Sequence, residues 1–178
     1  MSYDRTAVVT GRYLIAFVKS TGQVSEVFEQ RTRSLFEDEL GQLDPEAWYS
    51  LETVAELYEG VRDDVGPRTM RQGGVATGEA LPFDTDTNIA AATDQLNEEH
   101  KRSFRESTEE HPAGRYLYES TGDRSARVGV SEAYPFPESF VEGVFEAFIR
   151  RHGPVDASPN LQSTTAGPEE RFVWTVRY

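Results

Sequence analysis

Three histidines, His100, His111 and His152, are the side chains best suited to chemistry near neutral pH, and the chain has no cysteine. An imidazole with an ordinary pKa of about 6.5 can act as a metal ligand or as a general acid–base. Without thiols, disulfides, thiolate zinc sites and cysteine nucleophiles are excluded. The histidines are too scattered for a zinc cluster, which needs several converging ligands. His152 ends the run Arg150–Arg151–His152 at the negative end of a helix, where cations cap carbonyls. His111 precedes Pro112 and suits an extended connector. His100 is different. It lies in LNEEHKRSF (96–104), where Ile89, Thr93, Leu96, His100 and Phe104 recur at steps of three and four. His100 therefore shares the apolar face of its helix and is expected to be buried or to face a cavity.

Other motifs are weaker. FDTDTN (83–88) alternates Asp84, Asp86 and Asn88 like the start of a calcium loop, but Ile89 and Gln95 occupy the places that need glycine and a bidentate glutamate. A capping loop is the better reading. GGVATG (73–78) lacks the Gly-Lys-Ser/Thr of a phosphate loop, so its glycines are expected to let helices pack closely. GVSEAY (129–134) lacks the second glycine of a nucleophile elbow. No catalytic residue is assigned, and these motifs predict no metal site.

These residues need elements to hold them. Thr10 is placed to cap a helix from Gly11 to about Ser20, with Leu14, Phe17 and Val18 inward and Gly22 as its stop. A second helix covers roughly 23–40. Asp44–Pro45–Glu46 reads as a helix start, followed by Trp48, Leu51, Ala55 and Tyr58. Residues 67–80 form a weaker glycine-bearing helix or loop, and the helix of His100 starts near Asp86 or Thr87. After Pro112 the period changes to two. Strands at 114–120 and 126–133 are joined by a turn at Gly122–Asp123. Pro137 opens a helix with Phe140, Val141, Val144, Phe145, Phe148 and Ile149 inward, ended by Gly153. Strands near 154–163 and over RFVWTVRY follow. The fold class is α+β: one domain over 1–178, with a helical lobe (about 1–110) before a mainly antiparallel β-β-α-β-β sheet lobe (about 113–178).

The net charge of −13 disfavours binding to phosphate backbones. Sixteen of the eighteen basic residues are arginine, leaving Lys19 and Lys101. This acidic, lysine-poor surface resembles proteins of salt-loving archaea, where a Debye length of ~3 Å at 1 M salt screens self-repulsion. No apolar run approaches the ~20 residues of a membrane span. The N-terminal stretch has no leader pattern, so a cytoplasmic protein is expected.

Taken together, the segments resemble the haem nitric oxide/oxygen binding (H-NOX) superfamily over nearly the whole chain. VVTGRYLIAFVKSTG is similar to its first helix, LDPEAWYSLETVAELYEGV to its proline-led segment, and GGVATGEAL to its glycine-bearing helix. LNEEH is similar to the segment that carries the axial histidine, FVEGVFEAFIRRHG to the helix between strands, and RFVWTVRY to the closing strand. The resemblance implies a ligand pocket between a helical lobe and an antiparallel sheet, and it makes His100 the match for a haem axial ligand. One departure matters. Where haem-bearing members have Tyr-x-Ser-x-Arg, which grips the haem propionates, this chain has Ser131, Ala133 and Pro135. Arg115, Arg124 and Arg127 on neighbouring strands are the candidates to compensate. Without the signature, no cofactor is expected, and haem is the alternative.

The function expected is a non-enzymatic sensory or regulatory domain. It would bind a small, largely apolar ligand or a partner protein in a pocket lined by Leu96, Phe104, Tyr134, Phe140 and Trp48. The alternative is a haem-based NO/O2 sensor using His100. A third reading is an enzyme on an apolar or tetrapyrrole-like substrate, with His100 or Tyr134 as general acid. No nucleic-acid or membrane partner is expected, and the open sheet face offers a homodimer contact.

Overall fold

The structure is a computed structural model that describes residues 3–83, 87–105 and 112–178. The readings made for Asp84, Asp86 and His111 fall outside these residues. In chain order the described elements are β1 (Val8–Thr10), α1 (Gly11–Val24), α2 (Glu26–Leu40), β2 (Trp48–Ser50), α3 (Leu51–Val65), α4 (Pro67–Ala80) and α5 (Ile89–Arg102). Then come β3 (Phe104–Arg105), β4 (Tyr116–Gly122), β5 (Ser125–Ser131), α6 (Glu138–His152), β6 (Asn160–Ser163) and β7 (Glu170–Arg177). The α+β order, helices first and an antiparallel sheet after, is the expected one.

Leu14, Phe17 and Val18 bury one face of α1. Gly22 does not stop the helix, which runs on to Val24. The break comes at Ser25, whose extended backbone ends α1 and whose hydroxyl accepts from Phe28 N at 3.1 Å to start α2. Ser25 thus satisfies an orphan amide that Gly22 cannot. Asp44–Pro45–Glu46 does not open a helix either. Asp44 Oδ1 accepts from Glu46 N at 2.9 Å and closes a turn. The next residues pair with β1 (Thr10↔Trp48, Val9↔Tyr49), and α3 begins only at Leu51, capped by the Ser50 hydroxyl. Gly66 turns the chain into α4 at φ 81°, a backbone that side chains rarely tolerate.

Residues 67–80 form a complete helix. Its glycines meet α6 backbone to backbone: a Cβ on Gly74 would lie 2.1 Å from Phe140 O, and one on Gly143 would lie 2.1 Å from Arg71 O. The close-packing role read from GGVATG is what the structure contains.

The sheet runs β4-β5-β7-β6, antiparallel throughout, with Tyr116↔Val130, Val128↔Trp174 and Leu161↔Val176 in register. Helix α6 covers it and buries Phe140, Val141, Val144, Phe145, Phe148 and Ile149. A second sheet, β2-β1-β3, joins the start of α1 to the end of α5. Among the described residues no helix is long and apolar enough to cross a membrane.

Candidate functional site

Helix α5 starts at Asn88, whose side chain accepts from Ala91 N at 2.9 Å. That is one or two residues beyond the expected start. It buries Ile89, Thr93, Leu96 and His100, and Phe104 beyond its end is buried too. Asn97 fixes the helix to the sheet. Its amide donates to Tyr116 O (3.0 Å) and accepts from Tyr116 N (2.7 Å), so a side chain completes the ladder at the edge of β4. One turn later His100 is 5 % exposed, and Nε2 lies 3.0 Å from Ala113 O. A carbonyl only accepts, so Nε2 carries the hydrogen. Gly114 (φ 69°) leaves no space for a Cβ, which would lie 2.6 Å from Tyr134 N. The carbonyl that receives His100 therefore sits in a tightly built turn.

Rings surround the imidazole. Phe104 lies 4.7 Å away, Tyr134 stacks at 5.5 Å, Tyr116 meets it edge-on at 5.5 Å, and Tyr13 lies at 6.2 Å. The Tyr116 and Tyr134 hydroxyls bond to each other at 2.6 Å. Burial pushes both phenols well above the usual tyrosine range, so neither loses its proton at physiological pH.

Beside His100 is a cavity of about 540 Å³, within the usual range for small-molecule sites. Tyr13 and Ala16 of α1, Trp48 of β2, Leu96 and His100 of α5, and Phe140 and Val144 of α6 form its walls, with Leu81 and Pro82 at one end. Arg12, Glu46, Glu99, Arg102 and Arg105 stand around it. Of the residues named from sequence, Leu96, Phe140, Trp48 and His100 are on the cavity. Phe104 meets the imidazole at a tilt and Tyr134 stacks on it, and neither lines the cavity.

Sequence reasoning missed three cavity arginines, and it placed the compensating ones elsewhere. Arg124 pairs with Asp156 (3.0 Å), Arg127 with Glu170, and Arg115 is exposed; none reaches this cavity. Arg12 pairs with Glu46, Arg102 with Glu99, and the Arg105 guanidinium lies 4.2 Å over the Trp48 ring. No single stretch signals this cluster, because residues 12, 48 and 102–105 meet only through β1, β2 and β3.

The lining hydroxyls do not form a nucleophile. Thr10 donates to Pro45 O, Thr77 to Gly73 O and Ser103 to Glu99 O, so none is offered to a base. Among the described residues no group of three or more His, Cys, Asp or Glu is placed to hold a metal ion. Haem presents a separate test, since it needs one axial nitrogen. His100 Nε2, the less hindered nitrogen, carries a hydrogen and is committed to Ala113 O, and aromatic rings pack around the imidazole. This arrangement does not fit iron ligation through Nε2.

No protein-family model and no curated protein matches the chain by sequence. Solved structures do match in shape. An H-NOX double variant superposes with a TM-score of 0.65 at 9 % identity, covering 95 % of this chain and 94 % of that one. An oxygen-binding H-NOX domain related to soluble guanylate cyclases gives 0.60 at 10 % identity, covering 94 % of each chain. A single-residue variant of T. Tengcongensis H-NOX gives 0.60 at 9 % identity, covering 94 % and 96 %. These likenesses run over nearly the whole chain and show that it has an H-NOX-like fold.

Proposed function

We propose that this chain is a non-enzymatic sensory domain that binds a small, largely apolar ligand beside His100. The observation that carries the reading is the cavity of about 540 Å³, walled by Tyr13, Leu96, Phe140 and Val144 and touching α1, β2, α5 and α6 at once. A ligand there contacts the helical lobe and the helix that covers the sheet. It can shift α1 against α6 to the extent that it binds one arrangement better than the other. A partner protein would read that shift. Saturating 1-decanol is expected to raise the melting temperature and to slow amide exchange in α1 and α5. If no apolar compound changes either quantity, the reading fails.

The second reading, a haem-based NO/O2 sensor with His100 as axial ligand, is favoured by the placement of a buried imidazole on the cavity wall. The bond from Nε2 to Ala113 O and the missing Tyr-x-Ser-x-Arg signature weigh against it. Protein produced with haem supplied separates the two. We expect no Soret band that depends on His100. A band that His100→Ala abolishes would replace the apolar-ligand reading with the haem one.

A further inference from the structure

Positive charge is scarce in this molecule, with 18 Lys and Arg against 31 Asp and Glu. Three guanidiniums nevertheless stand at one cavity, Arg12, Arg102 and Arg105, against two carboxylates, Glu46 and Glu99. The cavity therefore carries one net positive charge on a chain of net charge −13. The existing pairs are weakly held. Arg12 and Glu46 are 68 % and 71 % exposed, and Arg102 and Glu99 are 68 % and 51 % exposed. Exposed pairs of this kind contribute little, so either guanidinium can exchange its partner for an incoming anion at small cost. Arg105 has no carboxylate partner among the described residues. It rests on the face of Trp48, which orients its fork while leaving its N–H groups available. Inward of these cations the wall turns apolar, through Tyr13, Leu96, Phe140 and Val144.

We propose that the occupant is an amphipathic organic carboxylate, with its head on Arg12, Arg102 and Arg105 and its apolar body along Tyr13, Leu96, Phe140 and Val144, held without coordination by His100. This inference rests on the ligand-binding reading and goes beyond it by assigning the head group. Planar bidentate recognition of carboxylates is what guanidinium does best. The carboxylate site is built from α1, the end of α5 and β3, and none of Ser131, Ala133 and Pro135 lines the cavity.

Calorimetric titration of the full chain with decanoate and with 1-decanol, at fixed ionic strength, tests the head group alone. Decanoate is expected to bind about tenfold or more tightly than decanol, the scale of a charge-assisted hydrogen bond. The triple variant Arg12→Gln, Arg102→Gln, Arg105→Gln should bring decanoate to parity and leave decanol unchanged, which also shows that the variant is folded. Equal binding of the two by the native chain would overturn the carboxylate assignment while the ligand-binding reading stands. Binding of neither would overturn both. A hemin complex whose Soret band needs His100 and which excludes decanoate would also overturn it.

Discussion

Helix α6 meets its neighbours by two opposite rules. Against α4 it is closed to backbone contact: Gly74, Gly78 and Gly143 leave no room for a single carbon, and a Cβ on Gly78 would lie 2.8 Å from Ala147 Cβ. Against α1 and α5 the same helix turns Phe140 and Val144 to a cavity of about 540 Å³. The open side is therefore not slackness in a loosely packed core, since packing a few ångströms away is as tight as it can be. The glycine seam supplies a rigid frame, and the cavity is the space that this frame holds open. The rings behind the cavity wall, Phe104 and Tyr134, belong to the frame, and the imidazole they pack against is held by its bond to Ala113 O.

The most damaging test of the contrast is Gly74→Val. Its branches would be driven into the Phe140 carbonyl, and overfilling of this kind costs about 3 kcal/mol or more when backbone must move. A urea unfolding curve reads it as a lower midpoint at unchanged slope. A loss under about 1 kcal/mol would mean that the seam yields and that the two sides differ less than described.

Next in size is Tyr134→Phe. It leaves the buried Tyr116 hydroxyl without its 2.6 Å partner, and an unmet buried group costs about 1–3 kcal/mol. Because Tyr134 is off the cavity wall, affinity for an apolar ligand should stay within about twofold while stability falls. Loss of both together would make Tyr134 part of the site.

A smaller effect depends on pH, at the end where seam and cavity share a wall. Arg151 donates to Leu81 O (2.6 Å) and to Phe83 O, and His152 Nδ1 donates to Thr87 O (3.0 Å). Burial pushes the His152 pKa below 6.5, against a smaller opposing pull from the Thr87 carbonyl. The folded form then takes up the proton less readily than the unfolded one. Stability should hold above pH 6.5 and decline as pH falls below it, and His152→Gln should flatten that decline. Glu170, held down to about 2 chiefly by Arg127 and then by Gly167 N, acts in a separate window. Its contribution is complete above pH 4.5 and is lost as pH falls towards 2. Melting curves between pH 8 and pH 2 should resolve both steps.

Much of the frame was legible in the sequence. The stripe of α6 is six apolar residues at helical spacing, all buried, and the stripe of α5 from Ile89 to Phe104 is buried as read. The β4–β5 hairpin and the closing strand follow from a period of two. What escaped lies in short or non-local features. Strands β1, β2 and β3 are three, three and two residues long, too short for any period to show. Their pairing turned Asp44–Pro45–Glu46 from a helix start into a turn. Helix α4 looked weak because its glycines lower intrinsic propensity, which contact with α6 overrides. The cavity's polar side was illegible for the same reason: Arg12, Trp48 and Arg105 are brought together by those short strands. Leu96, Phe140, Trp48 and His100 could be named because inward-facing apolar patterns single them out.

The measurement closest to the central claim compares the native chain with Ala16→Trp. Ala16 is exposed at the cavity, so the new ring should fill the opening with a stability change within about 0.5 kcal/mol. With free 1-decanol about 100-fold above its Kd, the native chain should gain roughly 2.7 kcal/mol, which raises Tm by about 5–10 °C at this chain length. The variant should show no rise. Equal shifts in both proteins, or none in the native chain, would contradict a ligand site beside His100.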